Sequence, residues 1–233
     1  MARRGAYAKG VAKRDEILER ALEVIAREGY RGASVKELAE AVGLSQAGLL
    51  HYFDSKDELF TAILRKRDEV DSRRFGDVDE DAPLERIREG YVGIVRHNAE
   101  VPGLVQLFSR LAVEAGDPEH PAHEYFVERS ASLRLLFARA FDRQHDEGGL
   151  TDRIDSETLA RIVQAVSDGL QLQWLQDPTV DMSKAVDALF ALLEAASSDA
   201  SSEVGPAPVP SIEPTTASSE VGPAGIEPTT STV

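Results

Sequence analysis

The chain has 233 residues, of which 42% are hydrophobic and 29% charged, as is ordinary for a globular protein with a real hydrophobic core. It contains no cysteine, which excludes disulfides, thiolate metal sites and cysteine catalysis. Its net charge of −15 argues at first sight against a nucleic-acid partner.

The sequence shows neither a membrane span nor an export signal. No stretch approaches the roughly 20 consecutive apolar residues that a membrane helix needs. The basic N-terminus is followed by Asp15, Glu16 and Glu19, where a secretory signal would need an apolar core. We therefore expect a cytoplasmic protein without a membrane partner.

Charge is unevenly distributed along the chain. Residues 1–75 contain 15 Lys and Arg against 13 Asp and Glu, whereas residues 76–233 contain 11 against 28. Residues 1–14 carry five basic side chains and no acidic one. A polyanion would be attracted to the first third and repelled by the rest, which favours one docking orientation. A solvated basic tail on an acidic protein would give the same distribution, so charge alone leaves both interpretations open.

The first third of the chain shows the period of amphipathic helices and paired capping signals. A first helix is predicted over about residues 12–28, ending at Gly29, a typical C-terminal residue. Ser34 and Glu37 have the spacing of a capping box at the start of a second helix, which Gly43 ends. No run alternates convincingly with the period of a β-strand, so the pattern predicts an all-α protein.

Helices are also predicted for the rest of the chain as far as Ala196. Ser45 caps a short helix over residues 46–53, and Ser55 with Glu58 repeats the capping-box spacing before a longer helix. Pro83 and Pro102 each suit the first turn of a helix. The last three predicted helices span about residues 119–145, 156–176 and 182–196.

The C-terminal segment has a different composition. From about Ser197 it is rich in Ser, Pro, Thr and Gly, and two short motifs, SSEVGPA and IEPTT, each occur twice. Such a segment has too little apolar surface to form a core, so we expect a disordered tail and assign it no function. The predicted organisation is a basic flexible arm (1–11), a three-helix helix-turn-helix domain (12–56), a larger helical ligand-binding and dimerisation domain (57–196) and the tail (197–233).

Residues 34–53 carry the functional signal. Two short capped helices are joined by Gly43-Leu44-Ser45, a tight turn of the kind that a helix-turn-helix needs. In that motif the second helix lies in the major groove of DNA and the first braces it. An ordinary three-helix bundle has the same periodicity, so the pattern alone does not decide between the two.

The residues at these positions resemble a known family. The segments EGY at 28–30, ASVKELA at 33–39, VGLS at 42–45 and LLHYFDSKDEL at 49–59 look like the N-terminal domain of the TetR family of bacterial transcription regulators. The resemblance covers about residues 12–64, and beyond residue 75 it is one of architecture only. It implies a homodimer, a palindromic operator on double-stranded DNA and a C-terminal domain that binds a small-molecule effector.

The resemblance also implies which residues contact DNA. Ser34 and Ser45 would meet phosphates at helix N-termini, and Tyr52 and Lys56 would hold phosphates without reading sequence. Base edges would be read from the exposed face of the third helix, which carries Gln46, Ala47, Gly48 and His51. Leu49 and Phe53 are predicted to be core.

This chain departs from the family pattern at two places. It has Ala47-Gly48 where the family most often has Gly followed by Ser or Thr, and Leu50 where Tyr is common. Leucine cannot bond a phosphate, so Leu50 either loses that contact or touches a base methyl.

The C-terminal domain offers candidates for a ligand pocket and a dimer interface. A pocket between the central helices is predicted from aromatic and aliphatic residues with one histidine: Tyr91, Val95, His97, Leu104, Leu107, Phe108, Phe126, Leu133, Phe137 and Trp174. The last two helices would form a four-helix bundle with a second copy through Leu159, Ile162, Val166, Leu170, Val186, Leu189, Phe190 and Leu193. Because this domain is acidic, we expect an apolar or amphipathic ligand that is neutral or cationic.

Other classes of function have less support in the sequence. No nucleophile elbow, glycine-rich phosphate loop or paired catalytic motif is present, so we do not expect an enzyme. His120 and His123 have the spacing of metal ligands, but no third ligand is near, so no metal or cofactor is predicted. We expect a nucleoid-associated repressor that its ligand releases from DNA. An activator, a ligand-independent DNA-binding dimer and a helical protein-interaction module remain as alternatives.

Overall fold

The structure is a computed structural model, which describes residues 2–75, 81–145 and 154–200. Within these ranges it is all helical, with short connections and no strand, which confirms the predicted fold class. The helices in chain order are α1 (Ala2–Gly32), α2 (Val35–Ala41), α3 (Gln46–Leu50), α4 (Lys56–Phe75), α5 (Leu84–Asn98), α6 (Pro102–Glu114), α7 (His123–His145), α8 (Ser156–Gln176) and α9 (Met182–Ala200). None of the helices described is long and apolar enough to cross a membrane.

The first helix is longer than the sequence predicted. It starts at Ala2 and not near residue 12, so most of the segment predicted as a flexible arm is helical. This segment has no proline and consists mainly of Ala, Arg and Lys, which favour helix, and a glycine costs only about 1 kcal/mol against Ala inside a helix. Gly29 has φ 74° and ψ 167° and kinks α1, at the position predicted for the helix end.

Three other boundaries differ from the prediction. α3 ends at Leu50, three residues early, and α9 continues through Ala200 beyond the predicted start of the tail. α7 begins at His123 because the preceding turn uses side chains as hydrogen-bond acceptors: Asp117 Oδ1 accepts the Glu119 N–H at 3.0 Å. α8 has the predicted bounds. Residues 76–80 of the predicted loop 76–82, the predicted helix stop at Gly148-Gly149 and the repeat-containing tail from residue 201 lie outside the described residues.

The buried apolar residues form two clusters. The first joins the helix-turn-helix to α4 and α6, and includes Ile17, Ile25, Leu38, Leu49, Phe53, Ile63, Leu104, Leu107 and Leu111. The second joins α5, α7, α8 and α9, and includes Ile87, Val105, Phe137, Phe141, Leu159, Val163, Val186 and Phe190. α6 therefore contributes to both clusters, and most of its apolar face packs against the N-terminal helices.

The fourth helix also connects the two clusters, and polar groups on it are buried. Lys66 is 3% exposed, and its ammonium pairs with Asp15, with Glu19 at 3.6 Å and with Glu69 at 3.5 Å. The neighbouring Arg67 is also buried. Because Asp15 and Glu19 belong to α1, α4 is fixed to α1 by charge as well as by packing.

A second buried charge ties α4 to α5. The Arg67 guanidinium lies 3.5 Å from Asp71 and donates a hydrogen bond to Asn98 Oδ1. Burial lowers the pKa of Arg67 and raises that of Asp71, while the attraction between the two opposes both shifts. These contacts fix the α4 axis relative to the C-terminal helices.

Candidate DNA-binding surface and ligand cavity

The start of α2 carries the capping box that the sequence predicted. Ser34 Oγ accepts the Glu37 N–H at 3.3 Å, and Glu37 Oε2 accepts the Ser34 N–H at 2.8 Å. The hydrogen bond from the Ser34 backbone lowers the pKa of Glu37 below its ordinary value. The Ser34 side chain lies exposed at this helix N-terminus.

A tight turn then sets the angle between α2 and α3. Gly43 has φ 70°, in the left-handed region that glycine adopts without strain. Ser45 caps α3 by accepting the Gly48 N–H at 3.0 Å. A Cβ added at Gly48 would lie 3.2 Å from Ser45 Oγ, so glycine leaves room for this close cap.

The third helix has one buried side and one exposed side. Leu49 is fully buried and Phe53 is 2% exposed, which confirms both as core. Tyr52 and Gly48 are half-buried. The predicted contact residues with exposed side chains are Ser34, Ser45, Gln46, Ala47, His51 and Lys56. Leu50 is 37% exposed and lies one helical turn after Gln46, so it shares the face with the residues predicted to read bases.

The start of α4 is fixed to α1 by Arg14, for which the sequence predicted no structural role. Ser55 Oγ accepts the Glu58 N–H at 3.0 Å, as predicted, but the Glu58 carboxylate accepts the Asp54 N–H in place of the Ser55 N–H. Arg14 pairs with Glu58 at 2.9 Å, and its guanidinium lies 4.7 Å from the centre of the Phe53 ring. Arg14 therefore connects α1 to the end of the helix-turn-helix.

A cavity of about 200 Å³ lies among α5, α6, α7 and α8. Its wall combines aromatic and aliphatic residues with polar and charged ones: Tyr91, Phe108, Ala112, Phe126, Arg129, Ser130, Leu133, Gln164 and Asp168. The ring centroids of Phe108 and Phe126 are 5.1 Å apart. Gln164 is held by its amide, which donates to the Ser130 carbonyl at 3.1 Å.

Arg129 links this cavity to α4. Its Nε donates to the two carboxylate oxygens of Asp68 at 3.1 and 3.3 Å, and its guanidinium lies 4.9 Å from the centre of the Phe108 ring. Tyr125 donates its hydroxyl to the same carboxylate at 2.7 Å. Burial would lower the pKa of Arg129, but Asp68 and the Tyr125 hydroxyl raise it, and the net pKa is raised. The guanidinium therefore stays charged at the cavity wall.

Comparison with known proteins identifies the family. The profile described as "Bacterial regulatory proteins, tetR family" matches residues 17–63. The HTH-type transcriptional repressor Rv1474c of Mycobacterium tuberculosis is 31% identical over 163 residues, covering 68% of this chain and 80% of that protein. The HTH-type transcriptional repressor AcnR of Corynebacterium efficiens is 30% identical over 169 residues, covering 69% and 81%. The chain belongs to the TetR family.

Solved structures agree with this assignment at the level of fold. A putative TetR-family transcriptional regulator from Rhodococcus sp. superposes with a TM-score of 0.60 at 22% identity, covering 79% of this chain and 98% of that one. FadR of Thermus thermophilus, a TetR-family repressor solved with lauroyl-CoA, gives 0.52 at 20% identity, covering 85% and 99%. The TetR fold is thus shown for the N-terminal helices and for the C-terminal helices.

Only part of the pocket predicted for this TetR-family chain lines the cavity. Tyr91, Phe108, Phe126 and Leu133 lie in its wall. Leu104 and Leu107 do not, because α6 turns them toward the helix-turn-helix, where they are buried in the first cluster. Phe137 is fully buried behind Tyr91, with ring centroids 5.0 Å apart.

The other three predicted pocket residues lie elsewhere. Val95 and Trp174 line a separate depression of about 420 Å³ beside the α8–α9 connection. His97 lies against the Phe75 ring, with centroids 6.0 Å apart, and its Nδ1 is 2.8 Å from Glu100. Arg129, Ser130, Gln164 and Asp168 were missed because nothing in the sequence separates a polar or charged residue at a cavity from one in solvent.

Half of the predicted dimer contacts are inside this chain's own core. Leu159, Leu170, Val186 and Phe190 are at most 9% exposed, because the strongest apolar stripe of each helix faces inward. Val166, Leu189 and Leu193 are half-buried. The exposed large residues of α8 and α9 are Ile162 (38%), Leu172 (49%) and Leu192 (68%), and only the first of these was predicted.

The two histidines with metal-ligand spacing bond to the backbone. His123 Nδ1 lies 2.9 Å from the Ala115 carbonyl oxygen, and His120 Nδ1 accepts the Ala122 N–H at 3.1 Å. Among the described residues no group of three or more His, Asp or Glu is arranged to hold a metal ion.

Proposed function

We propose that this chain is a transcriptional repressor that binds a palindromic operator as a homodimer and is released by a small molecule. The observation that carries the proposal is the two-sided α3, with Leu49 and Phe53 buried beneath it and Gln46, Ala47 and His51 exposed on it. The relatives Rv1474c and AcnR are themselves named HTH-type transcriptional repressors.

The exposed residues divide into two roles on DNA. The Gln46 amide can pair with both exposed polar groups of adenine, and the Ala47 methyl can contact the methyl group of thymine. Ser34 and Ser45 use their oxygen atoms to accept backbone N–H groups, which leaves each hydroxyl proton free to be donated to a phosphate. Lys56 adds a positive charge, so it holds the backbone without reading sequence.

The experiment that tests this division is a gel shift on an operator from the promoter of the chain's own gene. Gln46→Ala should lower discrimination between the operator and a base-substituted variant, with about 1–3 kcal/mol lost at the base it reads. Lys56→Ala should weaken binding to both duplexes equally and reduce the salt dependence. Arg86→Ala, an exposed charge on α5, is the control and should change neither. Equal loss on both duplexes in Gln46→Ala would refute the reading role.

The proposed dimer forms through the outer face of α8 and α9. Ile162 and Leu172 are exposed on α8, and Leu192 is exposed on α9. The exposed Ala165 and Ala188 lie one helical turn from Ile162 and Leu192. Small residues let helices approach closely, and two copies of this pair would make a four-helix bundle about a two-fold axis. The proposed interface therefore uses the exposed face of α8 and α9 and not their strongest apolar stripe, which is buried in this chain.

A matched pair of variants tests this interface. Leu172→Glu should give a monomer by sedimentation and abolish tight operator binding. Val113→Glu is the control, because Val113 on α6 is 79% exposed and lies away from α8 and α9 in sequence. A dimeric Leu172→Glu variant, or a monomeric Val113→Glu variant, would place the interface elsewhere.

The proposed release passes through α4. This helix starts just after α3, and in its second half Asp68 bonds to Arg129 at the cavity. A molecule bound beside Arg129 therefore contacts a residue that is paired directly with α4, the helix that follows the DNA-reading helix. It shifts the protein only by its difference in affinity for the two arrangements, and a hundredfold difference corresponds to about 3 kcal/mol.

A further inference from the structure

We propose that the cavity among α5–α8 takes a small zwitterion, with its carboxylate on Arg129 and its ammonium on Asp168. The inference rests on the proposed function, because it names the class of molecule that acts at that site. The expectation of a neutral or cationic ligand came from the net charge of the whole domain. A bound molecule meets the groups on the cavity wall instead, and these include one charge of each sign.

Arg129 has hydrogen-bonding capacity left over for a ligand. A guanidinium carries five N–H donors, and among the described residues only Asp68 accepts from this one, through Nε. Neither Nη group donates a hydrogen bond to another described residue, and 28% of the Arg129 side chain is exposed. The guanidinium carbon lies over the Phe108 ring, 4.9 Å from its centre. A carboxylate can accept two parallel hydrogen bonds from a guanidinium.

Asp168 supplies the opposite charge at the rim of the same cavity. Its one hydrogen bond from a described residue comes from the Gln171 amide, at a long 3.4 Å. Although Asp168 and Arg129 line one cavity, they do not come within the 4.0 Å of an ion pair in the described structure. The Gln164 amide oxygen is a further acceptor beside them. Two unlike charges separated by a gap fit a molecule that carries both.

The size and wall of the cavity restrict the body of the molecule. About 200 Å³ is smaller than the roughly 300–1,000 Å³ of pockets for drug-sized ligands, which favours a compact metabolite. The apolar part of the wall is formed by Tyr91, Phe108, Phe126 and Leu133. An α-amino acid or a close analogue with an aromatic or branched aliphatic side chain meets all of these conditions.

The same contact gives the molecule a route to DNA affinity. A ligand carboxylate on the Nη groups would draw the guanidinium toward the cavity and compete with Asp68 for it. Because Asp68 belongs to α4, a weaker Arg129–Asp68 pair would free that helix to move. Binding of the zwitterion would in this way favour the arrangement with lower operator affinity.

Calorimetric titration of the full chain with two sets of probes tests the class directly. The first set is phenylalanine, 3-phenylpropanoate, which lacks the ammonium, and phenethylamine, which lacks the carboxylate. The second is leucine, 4-methylpentanoate and isopentylamine. In at least one set the zwitterion should bind at least tenfold more tightly than both of its stripped analogues. If neither zwitterion exceeds its analogues, the proposal is wrong.

Three variants, one of them a control, separate ligand binding from folding. Asp168→Asn keeps the shape and removes the charge, so it should bind the zwitterion no more tightly than the matching carboxylate. Asp142→Asn, an exposed residue of α7 outside the cavity, is the control and should keep the preference. Arg129→Gln should lose the preference for a carboxylate, and circular dichroism reports whether it is folded. Unchanged selectivity in Asp168→Asn would overturn the assignment.

Operator binding by the same protein samples distinguishes failure of the zwitterion proposal from failure of the proposed function. A gel shift without any probe measures operator binding alone. Intact operator binding with no preference for a zwitterion refutes only the ligand class. Absence of operator binding in the unmodified chain refutes the repressor itself.

Discussion

The DNA-binding end and the cavity end of this molecule are held together by contacts of different range. At the helix-turn-helix, Ser34 bonds to Glu37 and Ser45 to Gly48, each three residues away. At the cavity, Asp68 bonds to Tyr125 and Arg129, which are 57 and 61 residues away. The first end is thus specified locally, whereas the second exists only when several helices have docked. The fourth helix takes part in both.

The largest expected effect tests whether α4 makes the two ends one cooperative unit. Arg67→Met removes the partner of the buried Asp71 carboxylate and a donor to Asn98, so it should cost about 3–5 kcal/mol of unfolding free energy. Urea denaturation followed at both ends measures it. The control is Arg73→Met on the same helix, whose exposed pair with Glu69 at 3.1 Å is worth about 1 kcal/mol or less. Separate transitions for the two ends in Arg67→Met would show that α4 does not couple them.

A somewhat smaller effect tests where α6 belongs. Leu107 is fully buried in the cluster of the helix-turn-helix, so Leu107→Ala should lose about 2–5 kcal/mol and lower operator affinity through a loosened N-terminal end. Ligand binding at the cavity, measured well below the melting temperature, should remain. Leu104, predicted with Leu107 as pocket lining, should behave in the same way. Loss of ligand binding with unchanged operator affinity would mean that α6 supports the cavity and not the DNA-binding helices.

The difference in range also explains how far the sequence could predict each end. The caps at Ser34 and Ser45 and the turn at Gly43 depend on neighbours in the chain, and the structure has all three. Arg129 has no such signal, because its role depends on Asp68 and Phe108 in other helices.

Half of the dimer contacts predicted from the sequence are buried inside this chain, for a related reason. The strongest apolar stripe of a helix packs inward, as Val186 and Phe190 do, whereas the face proposed for the second copy is weaker and partly made of alanine. Periodicity ranks the faces of a helix by hydrophobicity and does not say whether a partner covers the second-ranked face.

A prediction of intermediate size isolates the backbone contribution to the DNA-binding end. Gly43 has φ 70°, and a Cβ there would meet nothing within 4 Å, so Gly43→Ala should cost about 1–2 kcal/mol from backbone strain alone. Gly10→Ala is the matched control, because Gly10 is also unobstructed but lies within α1. That change should stabilise by about 0.5–1 kcal/mol. Thermal melts of both variants measure the effects, and a shift of the same sign in both would contradict the role given to φ.

The smallest expected effect concerns the pH dependence of the local contacts at the start of α2. The pKa of Glu37 is lowered because its carboxylate accepts the Ser34 N–H, so the charged form is favoured in the folded state. A lowered folded pKa contributes stability above the ordinary value of 4.5 and loses it as the pH falls through the folded value. Glu37→Gln keeps an acceptor but cannot ionise. The variant should therefore melt slightly below the unmodified chain at pH 7, and the difference should shrink as the pH falls below 4.5. Ser34→Ala removes the reciprocal half of the box and should reduce the pH-dependent part of the difference.

The exposed Glu40 on the same helix is the control, since Glu40→Gln should show no comparable change with pH. A Glu37→Gln difference that stays constant from pH 7 to pH 3 would mean that the cap acts by geometry alone and that charge adds nothing at this end of the molecule.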